Sequence, residues 1–366
     1  MGLLAHHRRF WFVIVAVALA TPLAVQLVTP RQTVSEREAR PLKPLPDMPH
    51  SAAQWIKLPR EIDAFLGDHF GLRDILVRTN AVLRHAVVST GNNGVLYGRD
   101  GRLFFNGDAM LEQSLGIAQR DGEIARFASF AAGLAKQYRA RGIRFLVAVP
   151  PNATTIERQF VPTWFSPTAL TEYDTMLRML AERDVPHIDL RVPLAAVNEQ
   201  TPVYLQTDTH WNQLGALLAY NDVVAALDRP DWIIAPNNVF FGYQPAKGGD
   251  LARMLGAPDD IGDVDARIDL SSYKPIALTT RPLDTRKAET GGNVTETGLA
   301  GDSVVVIGDS FTEHAWRDYF GLHVRRFAWV HHELCDFFPD VVDAQKPDIV
   351  ILAPTERFMF CWNRKD

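Results

Sequence analysis

Ser310 lies in Gly308-Asp309-Ser310-Phe311-Thr312, directly after the apolar run Val304 to Ile307 and before a stretch that can start a helix. A serine on such a sharp strand-to-helix turn exposes its hydroxyl at a sheet edge, beside N–H groups free to bind an oxyanion. That setting suits a nucleophile; the same tripeptide also makes a plain turn with Ser310 capping a helix. A second segment, Thr207-Asp208-Thr209-His210-Trp211-Asn212, sits between Val203-Tyr204-Leu205 and a helical stretch that starts near Gln213. An aspartate two residues before a histidine can accept the Nδ1 proton and fix the tautomer, leaving Nε2 to take a proton from a serine. Read alone, Asp208 or Asn212 equally suits a helix cap, with His210 a partly buried structural histidine. Together the segments supply nucleophile, base and orienter, each at a predicted strand-to-helix junction, and the chemistry they fit is acyl transfer through a serine ester.

The elements that must position these groups alternate between helix and strand. Helical patterns over Gly122 to Arg141, Pro167 to Arg183 and Gln213 to Leu227 are interleaved with apolar runs at Phe145 to Val149, His187 to Leu190, Val304 to Ile307 and Ile349 to Ala353. Val324 to Val330 offers one more strand. Continuous apolar strands between helices predict an α/β fold with a mostly parallel sheet covered on both faces and ligands at the C-terminal strand ends. Gly94 to Phe105 alternates β-favouring runs around Asp100-Gly101 and reads as a hairpin opening the catalytic domain, 94–366. Between about 228 and 301 the pattern breaks into a Pro-, Gly-, Asn- and Thr-rich stretch, read as a β-rich insertion whose Thr285 to Gly301 part is a loop.

Upstream, Phe10 to Val28 is an almost unbroken apolar run of about 19 residues, ~28 Å as a helix and enough to cross a bilayer. Arg8 and Arg9 precede it, so residues 1–28 read as a cytoplasmic tip and transmembrane signal anchor of the inner membrane, single-pass, with the body periplasmic. Ala18-Leu19-Ala20 offers the rival of a signal peptide cleaved near Ala20, which also leaves the body outside the cytoplasm. Residues 29–93 read as a Pro-rich tether followed by a helical neck over Leu58 to Val88.

The chain has 366 residues, 47% apolar and 22% charged, a composition that excludes global disorder. Its 38 Lys and Arg against 43 Asp and Glu, net −5, exclude a nucleic-acid binder working through a broad basic face. Its 2 cysteines, Cys335 and Cys361, are too few for a disulfide framework or a four-cysteine zinc site, and could form one bridge in an oxidising compartment. A metal centre using Asp208, His210 and some of His314, His323, His331 and His332 is the competing chemistry, but the spacings match no ligand pattern. Neither metal nor cofactor is expected.

Asp208-Thr209-His210-Trp211-Asn212 followed by Gly308-Asp309-Ser310-Phe311, behind an N-terminal membrane segment, resembles the alginate-type polysaccharide O-acetyltransferases of the SGNH superfamily, the AlgJ and AlgX type. Supporting marks are Glu38-Ala39-Arg40-Pro41-Leu42, Phe70-Gly71-Leu72-Arg73, Gly249-Asp250-Leu251 and Leu352-Ala353-Pro354-Thr355-Glu356-Arg357. The resemblance implies an SGNH hydrolase-like three-layer α/β/α fold in circularly permuted motif order, with Ser310 as nucleophile, His210 as general base and Asp208 as its orienter. It implies O-acetylation of a secreted exopolysaccharide, the acetyl group being handed over by a membrane-bound O-acyltransferase partner. Where ordinary SGNH hydrolases carry a Gly-x-Asn-Asp block, this chain has Ala353-Pro354-Thr355-Glu356-Arg357, which leaves the second oxyanion donor open. Gly308, Asn152, Trp211, Asn212, Thr312, Glu356 and Arg357 are the oxyanion or substrate-binding candidates, with Glu356 able to fix Arg357 as an ion pair. Trp211, Trp316 and Trp329 either stack on sugar rings or pack in the core. An esterase with the same triad and a non-catalytic polysaccharide-binding subunit are the alternatives.

Overall fold

In a computed structural model of the chain, the described residues are 2–28, 33–35, 40–73, 75–77, 79–80, 94–166, 168, 170–273, 278–284 and 291–361. They form two compact units, Met1–Ser89 with Lys247–Gly262, and Thr90–Ala246 with Asp263–Asp366.

In the first unit, the apolar N-terminal run falls in one helix, α1 (Gly2–Val28), whose side chains are described only in part. Among the described residues no helix is long and apolar enough to cross a membrane. Val34–Ser35 pairs antiparallel with Arg40–Pro41 within the segment read as a tether. The neck helix starts earlier than its pattern suggests: α2 (Ala52–Asp68) is capped by Ser51, whose side chain accepts from the Gln54 N–H. Residues 81–93, the far end of the expected neck, lie outside the described residues.

The second unit opens with the expected hairpin, β1 (Val95–Tyr97) paired antiparallel with β2 (Leu103–Phe105). Asp100 and Gly101 both take positive φ, 56° and 77°, as a tight turn between right-twisted strands requires. The main helices are α3 (Asp121–Ala140), α4 (Glu172–Ala181), α5 (Gln213–Ala226) and α6 (Ser310–Gly321). α4 starts later than its apolar pattern because Thr171 and Asp174 form a reciprocal capping box. The strands are β3 (Arg144–Val147), β4 (Phe240–Ala246), β5 (Asp263–Ile268), β6 (Thr279–Pro282), β7 (Gly292–Glu296), β8 (Ser303–Gly308), β9 (Arg326–His331) and β10 (Ile349–Ala353).

Six of them make one mixed sheet in the order β3-β10-β8-β9-β7-β6. The first four run parallel, and β7 and β6 add an antiparallel edge. Two expectations are corrected here. His187 to Leu190 makes a single parallel bridge, Val147 to His187, rather than a strand. The β-rich part of the insertion forms the separate β4–β5 ribbon, but Thr285 to Gly301, read as a loop, contains β7, which hydrogen-bonds to β9 in the main sheet. Residues 285–290 of the expected loop lie outside the described residues.

Alternation along each central strand sorts its side chains into two cores. Leu146, Val304, Val306, Phe327, Trp329, Ile349 and Ile351 pack on one face with Leu217, Tyr220 and Val224 of α5 and Phe311, Trp316 and Phe320 of α6. Phe145, Val147, Val305, Ile307, Ala328, Val330, Val350 and Leu352 pack on the other with Phe127, Ala131 and Tyr138 of α3 and Tyr173, Met176 and Leu180 of α4. This is the three-layer α/β/α arrangement, and it explains why these strands are apolar throughout. Cys335 and Cys361 are joined by a disulfide with a Cα–Cα distance of 5.0 Å.

Candidate active site

β8 ends at Gly308, and α6 begins two residues later with Ser310 in its first position. Gly308 fits only as glycine: a Cβ there would meet Thr312 Oγ1 at 2.3 Å and the Ala353 carbonyl at 3.1 Å. Asp309 caps α6, its Oδ1 accepting the Phe311 N–H at 3.1 Å and its Oδ2 the Thr355 N–H at 2.8 Å. Burial pushes this carboxyl up, but His332, Arg357 and the Thr355 hydrogen bond outweigh it and hold it below the usual carboxylate range. Ser310 itself is exposed at the strand ends.

Facing it is a hairpin-like loop over residues 203–212. The Asn212 N–H donates to the Val203 carbonyl at 2.9 Å and the Leu205 N–H to the His210 carbonyl at 3.2 Å. Within the loop Asp208 Oδ1 accepts the His210 N–H at 3.0 Å and lies 2.6 Å from His210 Nδ1. His210 Nε2 lies 2.7 Å from Ser310 Oγ. An unbroken Asp-His-Ser relay results, with the imidazole proton on Nδ1 and Nε2 as acceptor from the serine hydroxyl. The His210 ring also rests on Phe311, centroids 4.8 Å apart.

Two groups that no sequence pattern marks hold this loop. Asp263, first residue of β5, accepts the Gln206 N–H at 2.9 Å, the Thr207 N–H at 2.8 Å and the Thr207 hydroxyl at 2.6 Å. Arg102, next to β2, donates to the Tyr204 and Leu205 carbonyls at 3.2 and 2.9 Å and packs its guanidinium against the buried Glu157 carboxyl. Burial pushes Glu157 up to about 8, against the pull of Arg102. Both contacts span more than 50 residues, so local spacing carries no trace of them.

Of the other candidates, several are structural. Asn212 caps α5, accepting the Gly215 N–H at 3.0 Å and donating to the Pro202 carbonyl at 2.8 Å. Trp211, Trp316 and Trp329 are core residues, their indole N–H groups donating to Phe311 O, Ala216 O and Thr312 Oγ1. Thr312 is fully buried and donates to the Asp309 carbonyl at 3.2 Å. Asn152 is buried, its side-chain NH₂ donating to Gln113 Oε1 at 3.2 Å and Ser114 Oγ at 3.3 Å. Glu356, expected to fix Arg357, uses Oε2 to accept the Asn152 N–H at 2.8 Å and the Thr155 hydroxyl at 2.7 Å. Burial pushes it up to about 7. Arg357 lies over the rings of Phe311 and Phe358 at 5.3 and 5.0 Å, which keeps its cation near the serine turn.

Among the described residues, the four downstream histidines do not gather into one cluster. His314 is exposed beside Glu313, His323 packs near Trp232 and Tyr273, and His331 stacks on His332.

A Gly-Asp-Ser turn at the end of a parallel strand, facing an Asp-x-His loop, defines the class of SGNH hydrolase-like serine proteins. A family model for the SGNH hydrolase-like domain of the acetyltransferase AlgX matches residues 95–321, more than half of the chain, and the chain belongs to that family. It is 23% identical over 267 residues to the probable alginate O-acetylase AlgJ of Pseudomonas aeruginosa, which covers 70% of this chain and 65% of that relative. The chain therefore spans just under two thirds of the relative's length. Among solved structures it is similar to PatB1 of Bacillus cereus, with a TM-score of 0.53 and 14% identity over 73% of this chain and 97% of PatB1. A DHHW family protein from Eubacterium siraeum gives a TM-score of 0.51 and 14% identity, covering 74% and 93%. At these identities the likeness to the solved structures is one of fold.

Proposed function

We propose that this chain is a polysaccharide O-acetyltransferase that carries the acetyl group on Ser310. The observation that supports it most is the continuous relay from Asp208 through His210 to Ser310, with separations of 2.6 and 2.7 Å. In this reading His210 Nε2 takes the Ser310 proton as Oγ attacks the acetyl carbonyl of the donor, and returns it to the leaving group as the tetrahedral intermediate collapses. The resulting acetyl-serine is attacked by a sugar hydroxyl, again deprotonated by His210, which gives the sugar acetate and regenerates the serine. Asp208 accepts the Nδ1–H throughout and stabilises the imidazolium as it forms. The Ser310 N–H, at the first turn of α6 and lacking an intrahelical acceptor, is suited to receive the oxyanion.

The acceptor is a secreted, alginate-like exopolysaccharide, the polymer class in the name of the curated relative. The apolar run Phe10 to Val28 anchors the chain in the inner membrane with its body in the periplasm, and the Cys335–Cys361 bridge suits that oxidising compartment. Acetyl donors of the coenzyme type are cytoplasmic, so a membrane-bound O-acyltransferase delivers the acetyl group across the bilayer.

The test is the intact mass of the full chain after exposure to an activated acetyl ester, comparing wild type with Ser310→Ala and then adding oligosaccharide. One acetyl gained by wild type alone, then moved to sugar, is the expected result. An adduct that decays to acetate regardless of sugar makes the chain an esterase, a result that the exposure of Ser310 to water would explain. Absence of any Ser310-dependent adduct, with glycan binding retained in Ser310→Ala, makes it a binding subunit.

A further inference from the structure

Beyond the relay, the most unusual backbone in the second unit lies just past β9. Glu333, Leu334 and Cys335 all take left-handed φ values, 49°, 51° and 74°, in a run that L-residues disfavour. The turn is closed by three hydrogen bonds and a covalent tie. The Glu333 N–H donates to His331 Nδ1 at 3.2 Å, the Leu334 N–H to His332 Nδ1 at 3.0 Å and the Cys335 N–H to the His332 carbonyl at 3.0 Å. Cys335 is in turn bridged to Cys361.

The second of these bonds fixes the chemistry of His332. With Nδ1 accepting, the single proton of the neutral ring sits on Nε2. The ring is neutral because burial pushes its pKa down to about 4, against the pull of Asp309 and with further lowering by His331 and Arg357. Nε2 is buried and has no hydrogen-bond partner among the described residues. It lies 3.8 Å from Asp309 Oδ2, so its N–H dipole meets the carboxylate as an electrostatic contact rather than a hydrogen bond. The other groups around it are the Arg357 guanidinium, the His331 ring stacked at 4.6 Å and the Phe358 ring at 5.5 Å.

Asp309 is thereby the point where three strand ends meet. β8 leads into it through Gly308, whose carbonyl accepts the His332 N–H at 3.0 Å; β9 supplies His332; and the segment after β10 supplies the Thr355 N–H.

We propose that His332 is a positioning residue for the nucleophile, its Nε2–H facing the Asp309 carboxylate and so holding the helix cap from which Ser310 presents Oγ to His210. The inference rests on the acetyl-serine reading. It separates His332 from a plain brace of the left-handed turn, because the two roles use different ring nitrogens.

The experiment compares His332→Gln, His332→Asn and His332→Ala with wild type in the full chain. Each is followed by the rate and KM of Ser310 acetylation from an activated acetyl ester, by Ser310 labelling with a sulfonyl fluoride, and by thermal melting. Gln places an amide N–H where Nε2 lies, whereas Asn places an acceptor where Nδ1 lies. Expected is His332→Gln within about threefold of wild type, with Asn and Ala slowed roughly tenfold in both reactions at unchanged KM. His332→Asn keeping the wild-type rate while Gln loses it would reduce the ring to a brace and overturn the proposal, as would three variants at the wild-type rate. If His332→Ala does not fold, the Gln and Asn pair decides, and Gln slowed as far as Asn also overturns it. A wild type inert to both reagents would instead sink the acetyl-serine reading itself.

Discussion

Asp208 reaches His210 twice through one oxygen, once at the backbone N–H and once at Nδ1, so a two-residue spacing is enough to build and orient the base. Glu356 is the opposite case, a carboxyl whose behaviour is dominated by burial, which outweighs the lowering by its hydrogen bonds from Asn152 and Thr155. It is enclosed, with Oε2 accepting from Asn152 and Thr155 while Oε1 has no partner among the described residues, an arrangement that suits a proton on Oε1. The folded protein keeps that proton up to about pH 7, whereas the ordinary value is 4.5. Folding is therefore favoured below pH 4.5 by this group, and that contribution is lost as the pH rises through 7. Glu356→Gln removes the titration while keeping the shape. Between pH 5 and 8, wild type is expected to lose more unfolding free energy than the variant, by on the order of a few kcal/mol. Glu157, raised to about 8, and His332, lowered to about 4 and of opposite slope, are present in both proteins and cancel in the difference. Urea denaturation at the two pH values measures it, and parallel pH profiles would show that Glu356 is ionised in the fold.

At the level of elements, the 203–212 loop depends on a ribbon strand far away in sequence. Asp263 is buried and accepts three hydrogen bonds from Gln206 and Thr207, directly before Asp208. Asp263→Ala leaves those donors without their acceptor, which should cost roughly 2 kcal/mol of stability. It should also slow Ser310 acetylation by roughly 10- to 100-fold through misplacement of His210. Thermal melting and single-turnover acetylation read both effects, and a full acetylation rate in the folded variant would show that the loop holds its own geometry. This dependence marks where the sequence stops being readable. β8 and β10 are legible because burial on both faces demands unbroken Val and Ile, and the relay is legible because Ser310 directly follows β8 while Asp208 and His210 share one short segment just before α5. β6 and β7 are not, since these two antiparallel strands, Thr279–Pro282 and Gly292–Glu296, carry Thr, Asn, Gly and Pro and read as loop. Asp263 and Arg102 are illegible for a different reason: an acid and a base in ordinary surroundings acquire their roles only once the chain folds back over more than 50 residues. Trp211, Asn212 and Thr312 show the converse, that flanking a reactive residue in sequence puts a side chain into the core as readily as into the site.

For the molecule as a whole, the strand ends that carry the site are closed by a covalent tie. Cys335 follows β9, Cys361 follows β10, and the bridge spans a separation of 26 residues that includes β10. Closing a loop of that length restricts the unfolded chain by about 3 kcal/mol in the chain-entropy account. The double variant Cys335→Ala, Cys361→Ala should therefore melt about 4 to 6 °C lower. Dithiothreitol should lower the melting temperature of wild type by a similar amount and leave that of the variant unchanged. The same comparison bears on compartment: thiols buried this deeply gain a stabilising bridge only where the chain folds under oxidising conditions, as the proposed periplasmic body does. Chain made in a reducing cytosol should then carry two free thiols by mass and melt with the variant, while exported chain carries none. If cytosolic and exported proteins melt together and neither responds to reductant, the bridge contributes nothing to stability, and the compartment argument loses its structural support.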